Sequence, residues 1–220
     1  MDGTPVPDMT DQILQEKYHI APSKEGFLQA LQHESSDVRS FAAIRLAAGG
    51  NKDAVPPILA ALTVETVSGA RIILATAVAQ LGADEGMDAL KTMCGDPKWS
   101  PTLRIAAAQS MLGNLGREDC LAEVVGVLRE PGDDVQAVGI ALSLLPRFKR
   151  VPPGQMEDIR HLSASYLKSP TPALRVAASH YIAKARDASA ASELRVALRI
   201  EYDETVRRAV AADLSTIDPA

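Results

Sequence analysis

The sequence predicts an all-α fold, an α-solenoid of about six stacked helical hairpins. Three observations predict it. An arginine-led pattern recurs at a nearly constant interval, the apolar residues are mostly small and aliphatic, and glycines and cap residues punctuate the chain at matching places. A repeat period of about 20–50 residues is the mark of such arrays, because one hairpin alone cannot bury its apolar face.

The recurring pattern is an apolar residue, an Arg, and an alanine-rich helix. Val38-Arg39 is followed by Ser-Phe-Ala-Ala-Ile-Arg-Leu, and Leu103-Arg104 by Ile-Ala-Ala-Ala-Gln-Ser-Met. Ala70-Arg71, Leu174-Arg175 and Val206-Arg207 repeat it, and Val135-Gln136 reads as a weaker copy. The column falls at 39, 71, 104, 136, 175 and 207, with spacings of 32, 33, 32, 39 and 32. Four residues on come Ala43, Ala75, Ala108, Ile140, Ser179 and Ala211; seven on come Leu46, Val78, Met111, Ser143, Ile182 and Leu214. Both offsets lie on one helical face, with small residues for close approach and larger ones to fill the core.

A second amphipathic helix precedes each of these. Its apolar residues include Phe27, Leu28 and Leu31 in the first hairpin, Ile58, Leu59 and Leu62 in the second, and Leu194 and Leu198 in the last. The spacing is that of a helix with one apolar face. Gly49-Gly50-Asn51, Gly82-Ala83-Asp84 and Gly116-Arg117-Glu118 stand where second helices should end. Ser36-Asp37, Ser100-Pro101, Asp133-Asp134 and Asp203 stand where they should begin. The repeats run over about 23–49, 53–82, 85–116, 118–146, 155–186 and 188–217.

Two stretches break the rhythm. The fourth repeat has Gln136 in the Arg column and Gly139 within the helix, which costs about 1 kcal/mol relative to Ala. Seven extra residues precede the fifth, in Pro146-Arg147-Phe148-Lys149-Arg150-Val151-Pro152-Pro153-Gly154. This is the longest irregular stretch inside the array, of the kind that carries function. Residues 1–22 form a separate segment. Met9, Ile13, Leu14 and Tyr18 space as a short helix that is expected to cap the first repeat, with a docking arm as the alternative, and residues 1–7 are expected to be disordered.

Composition narrows the function classes. Apolar residues make up 46% of the 220 but aromatics only 4%, so Ala, Leu and Val carry the burial and sheet-forming runs are scarce. The net charge of −5 and a pI near 5.4 argue against a general nucleic-acid binder. Two cysteines, Cys94 and Cys120, are too few for a disulfide framework and read as packed thiols of a reducing compartment. No apolar run approaches the roughly 18 residues of a membrane span, and the N-terminus lacks the form of a secretory signal. These readings predict a cytoplasmic protein.

Asp37-Val38-Arg39 and Thr102-Leu103-Arg104, with the alanine helices that follow them, resemble the short bacterial HEAT repeats, the group that includes phycobilisome-lyase-like repeats. The resemblance covers roughly residues 23–217. It implies a right-handed, armadillo-like superhelix with the second helices along the concave side. It is specific for fold and weak for function, because such frames serve many purposes.

Enzymatic readings find little support. HEAT-like deoxyhypusine hydroxylases use several His-Glu pairs to hold iron, whereas here the pair occurs once, at His33-Glu34. There is no CxxC pair, no phosphate-binding loop and no Gly-x-Ser-x-Gly elbow. No catalytic residue, metal or cofactor is assigned. The resemblance leaves one alternative, an enzyme subunit of the bilin-lyase type. The favoured reading is a non-catalytic scaffold that binds a partner protein. Its candidate contact residues lie five, six and nine positions after the Arg column: Arg45, Thr76, Gln80, Gln109, His180, Tyr181, Lys184 and Asp213. The column arginines Arg39, Arg71, Arg104, Arg175 and Arg207 are expected to build the repeats, bonding helix-end carbonyls or acidic residues of a neighbour.

Overall fold

The computed structural model describes residues 11–185 and 191–218. The expectation of disorder for residues 1–7, the place of Met9, and the junction at 186–190 lie outside the described residues. Among those described, the regular structure is helical: α1 (Asp11–Tyr18), α2 (Lys24–Ala30), α3 (Ser36–Ala48), α4 (Val55–Val64), α5 (Ser68–Gln80), α6 (Asp84–Gly95), α7 (Pro101–Asn114), α8 (Leu121–Arg129), α9 (Val135–Leu144), α10 (Pro153–Ser165), α11 (Pro172–Ala185), α12 (Ala191–Ile200) and α13 (Glu204–Ile217). From α2 onward the helices pair through turns of a few residues, as antiparallel hairpins do.

The chain forms two compact units, residues 1–99 with 106–117, and residues 100–105 with 118–220. In the first, α3 packs on α2 and α5, and α5 packs on α3, α4 and α6. Ala43, Ala75 and Ala108 are at most 1% exposed, and Leu46, Val78 and Met111 are fully buried. The alanine column brings helix axes together and the column three residues on fills the space between them. α1 is seated by fully buried Leu14, by the Tyr18 ring edge-on to His33 at 5.3 Å, and by an Arg45–Asp11 ion pair at 2.5 Å.

In the second unit α11 lies against both α9 and α13, and α12 against α13. Here the arginine column needs a correction. Arg39, Arg71, Arg104, Arg175 and Arg207 are each the fourth residue of their helix, but the fourth residue of α9 is Val138, not Gln136. Asp134 sets this start, because its carboxylate accepts the Ala137 amide at 2.9 Å as an N-cap. Counted from Val138, the core columns become Leu142 and Leu145, at 0% and 3% exposure, in place of half-buried Ile140 and exposed Ser143.

The long irregular stretch is also shorter than its sequence suggests. Leu145–Arg147 forms a single 3-10 turn that continues α9, and α10 begins at Pro153. Gly139 sits in α9 with room to spare, since an added Cβ would meet only the Leu174 side chain at 3.8 Å. Gly139→Ala is therefore expected to stabilise the protein by about 1 kcal/mol. Urea unfolding checks this, and a lower midpoint would contradict it.

Candidate interaction surface

The column arginines are placed first, because they carry most of the polar order in the repeats. Arg39 donates from Nε and Nη2 to Glu65 Oε2, at 2.8 and 2.5 Å, and from Nη1 to the carbonyls of His33 and Glu34. Arg175 does the same one unit later. Its Nε and Nη2 donate to the two oxygens of Glu201, at 2.7 and 2.9 Å, and Nη1 to the Ser169 and Pro170 carbonyls. In both cases the glutamate lies 26 residues beyond the arginine, in the turn inside the next hairpin. Both pairs are withdrawn from water, with side-chain exposures of 15% and 0%, and of 6% and 6%. A charged pair so buried is held by its geometry and its backbone partners rather than by bare attraction.

The remaining column members differ. Arg71 donates to the Glu65 carbonyl at 3.0 Å. Arg104 is half-buried in the first turn of α7, and Arg207 is exposed on α13. The His33-Glu34 pair belongs to a turn: His33 Nδ1 accepts the Ser35 amide at 3.0 Å while the Glu34 carbonyl accepts Arg39. Cys94 and Cys120 are buried, but neither is a free thiol, which corrects the reading of both as packed thiols.

The family model for HEAT repeats matches residues 25–111. The chain carries HEAT repeats. No curated protein matches it.

Along the hairpins the candidate contact residues divide by their offset from the arginine column. Those six residues on point back at the preceding helix. Arg45 reaches Asp11 of α1, Ser110 shares a 2.7 Å hydrogen bond with Thr76 of α5, and Asp213 accepts from Ser179 of α11 at 2.6 Å. Tyr181, at the same offset, is 5% exposed. Thr76, five residues on, is 6% exposed and also donates to the Ile72 carbonyl or to Ser110. Thr76 and Tyr181 are therefore packing residues and not surface ones, and Asp213, with 14% of its side chain accessible, is largely committed to Ser179. Gln80, Gln109, His180 and Lys184 are exposed, as is Arg45 beside Asp11. His180 Nε2 lies 3.5 Å from Asp213 Oδ2.

Sequence reasoning missed one surface. In the second unit α10 and α12 leave a groove of about 390 Å³, lined by Ala164, Leu167, Val196, Ala197 and Ile200 with His161, Lys168 and Glu193 among its polar members. Val196 is 51% exposed and Ile200 65%. The signal was present in Ser-Glu-Leu-Arg-Val-Ala-Leu-Arg-Ile of α12, where Val196 and Ile200 widen the apolar arc beyond the buried Leu194 and Ala197. Among the described residues no helix is long and apolar enough to cross a membrane.

Proposed function

We propose that this chain is a non-catalytic scaffold that holds a partner protein on the exposed positions of its second helices. The observation that supports this reading is the contrast between columns. The positions four and seven after the arginine mostly repeat small and apolar residues, whereas the exposed positions change type at like offsets, Gln109 against His180 and Gln80 against Lys184. Positions freed from the packing that the repeat imposes are available to meet a partner. HEAT repeats generally work in this way, each hairpin offering a few side chains to an extended surface. The apolar groove of α10 and α12 adds a contact point of the kind protein interfaces use.

The test is affinity capture by the full chain from the cell that encodes it, with wild type beside a Gln109→Glu, His180→Glu, Lys184→Glu variant. All three side chains are exposed, so the variant should melt with the wild type. One protein retained by the wild type and released by the variant, with about tenfold weaker binding when purified, is the expected result. Recovery of a pigment in place of any protein would overturn the reading and bring a lyase-type subunit forward.

A further inference from the structure

We infer that the segment between α9 and α10 is a preorganised basic site for a short acidic stretch of a protein partner. Arg147, Lys149 and Arg150 are exposed, and among the described residues none of the three makes an ion pair. They stand within four consecutive residues of a chain whose net charge is −5. Arg39, Arg129, Arg160 and Arg175, by contrast, each face a carboxylate.

The backbone that carries these three cations is fixed from below. Phe148 lies between them in sequence and is 7% exposed, its amide bonded to the Leu145 carbonyl at 3.1 Å. Glu118 accepts the amides of Lys149 and Arg150 on one oxygen, at 3.1 and 2.8 Å. The nearest acid shown bonded to the segment is thus occupied in holding main chain. A carboxylate ligand would meet side chains whose attachment points are already ordered, which lowers the entropy lost on binding. Guanidinium groups bind carboxylates through paired N–H···O bonds, and two of the three cations are arginines.

The site's surroundings select the ligand. α10 starts three residues after Arg150, and its first turn, Pro153 to Met156, contains no acidic residue. Met156 is 49% exposed there, which favours an acidic segment that also carries an apolar side chain. Three cations on an acidic protein suit two or three carboxylates. A long polyphosphate chain would extend past these three cations, and its affinity depends on the number of phosphates neutralised.

This inference rests on the reading of the chain as a protein scaffold, yet its test is separate, because the triple variant above leaves the loop intact. The probe is a fluorescein-labelled oligoglutamate peptide, titrated with full-length protein and followed by anisotropy at low salt. Wild type should bind, and Arg147→Glu with Arg150→Glu should weaken binding about tenfold or more. Arg208→Glu, an exposed charge on α13 that faces Glu204, should change it less than about twofold. Glu118→Ala separates a built site from a diffuse field. It removes a negative charge, so a diffuse field would tighten peptide binding, whereas loss of the anchor should loosen it several-fold. Equal binding by the double variant, tighter binding by Glu118→Ala, or a single-stranded oligonucleotide that outcompetes the peptide would each overturn the proposal.

Discussion

Glu201→Ala is expected to lower the stability of the chain by about 3–5 kcal/mol. The change leaves Arg175 buried at 5% exposure without its carboxylate. The Ser169 and Pro170 carbonyls and the Tyr202 ring, 5.4 Å from the guanidinium, remain as partners and place the loss toward the lower end of that range. Equilibrium urea unfolding at neutral pH measures it. A loss below about 1 kcal/mol would mean that the pair is solvated and exchangeable. Replacing both residues by apolar ones of similar volume should recover most of the stability, since two desolvated charges are removed together.

The same pair makes stability depend on acid. Hydrogen bonds from Arg175 hold the Glu201 carboxyl below the ordinary glutamate value of 4.5, against the opposing effect of burial. A depressed folded-state value means that the contribution is complete above the unfolded value and fades as pH falls through the folded one. The wild type should thus lose stability below about pH 4.5, and Glu201→Gln should lose less over the same range. Unfolding midpoints of both proteins at pH 7 and pH 3 decide it. A gap between them that does not narrow on acidification would contradict the assignment.

Gly86→Ala should also destabilise the fold. A Cβ at this position would stand 2.4 Å from the Ala79 nitrogen, 2.5 Å from the Ala75 carbonyl oxygen and 2.9 Å from Val78 Cβ. Two of these are backbone atoms of α5, which cannot turn aside as a flexible side chain would. The α5–α6 pair must separate, and overpacking of this kind costs about 1–3 kcal/mol. The better helix propensity of alanine returns less than about 1 kcal/mol of that. Gly126→Ala is the matched control, because nothing lies within 4 Å of its added Cβ. It should be neutral or slightly stabilising. Thermal melting of the two variants tests the contrast, and equal melting temperatures would refute the close approach.

The helices themselves were legible because their code is local. Asp134 and Asp203 begin helices by capping amides two or three residues away. Gly50, Gly82 and Gly116 end hairpins at φ of 65°, 89° and 64°, where a side chain is strained. Core positions followed from the 3.6-residue period in α3, α5 and α7, whereas in the last helix, α13, Ala211 is exposed and Leu214 half-buried. The columns failed in α9, where Gln136 attracted the alignment and the helix start fixed by Asp134 placed Val138 in the column instead.

By itself, then, the sequence determined the all-helical class, the number of hairpins and most of the buried face, because propensity, capping and periodicity act over a few neighbours. Only the tertiary structure decided which exposed-looking residues are in fact used. Thr76, Tyr181 and Asp213 read as surface on their own helices, but Tyr181 is buried and the other two bond across to helices of adjacent hairpins. Arg39 and Arg175 find their glutamates 26 residues away, and Gly86 meets a helix backbone that no local pattern announces. Such contacts depend on how far apart and at what rotation two helices pack, and those quantities are set by the sum of side chains on both.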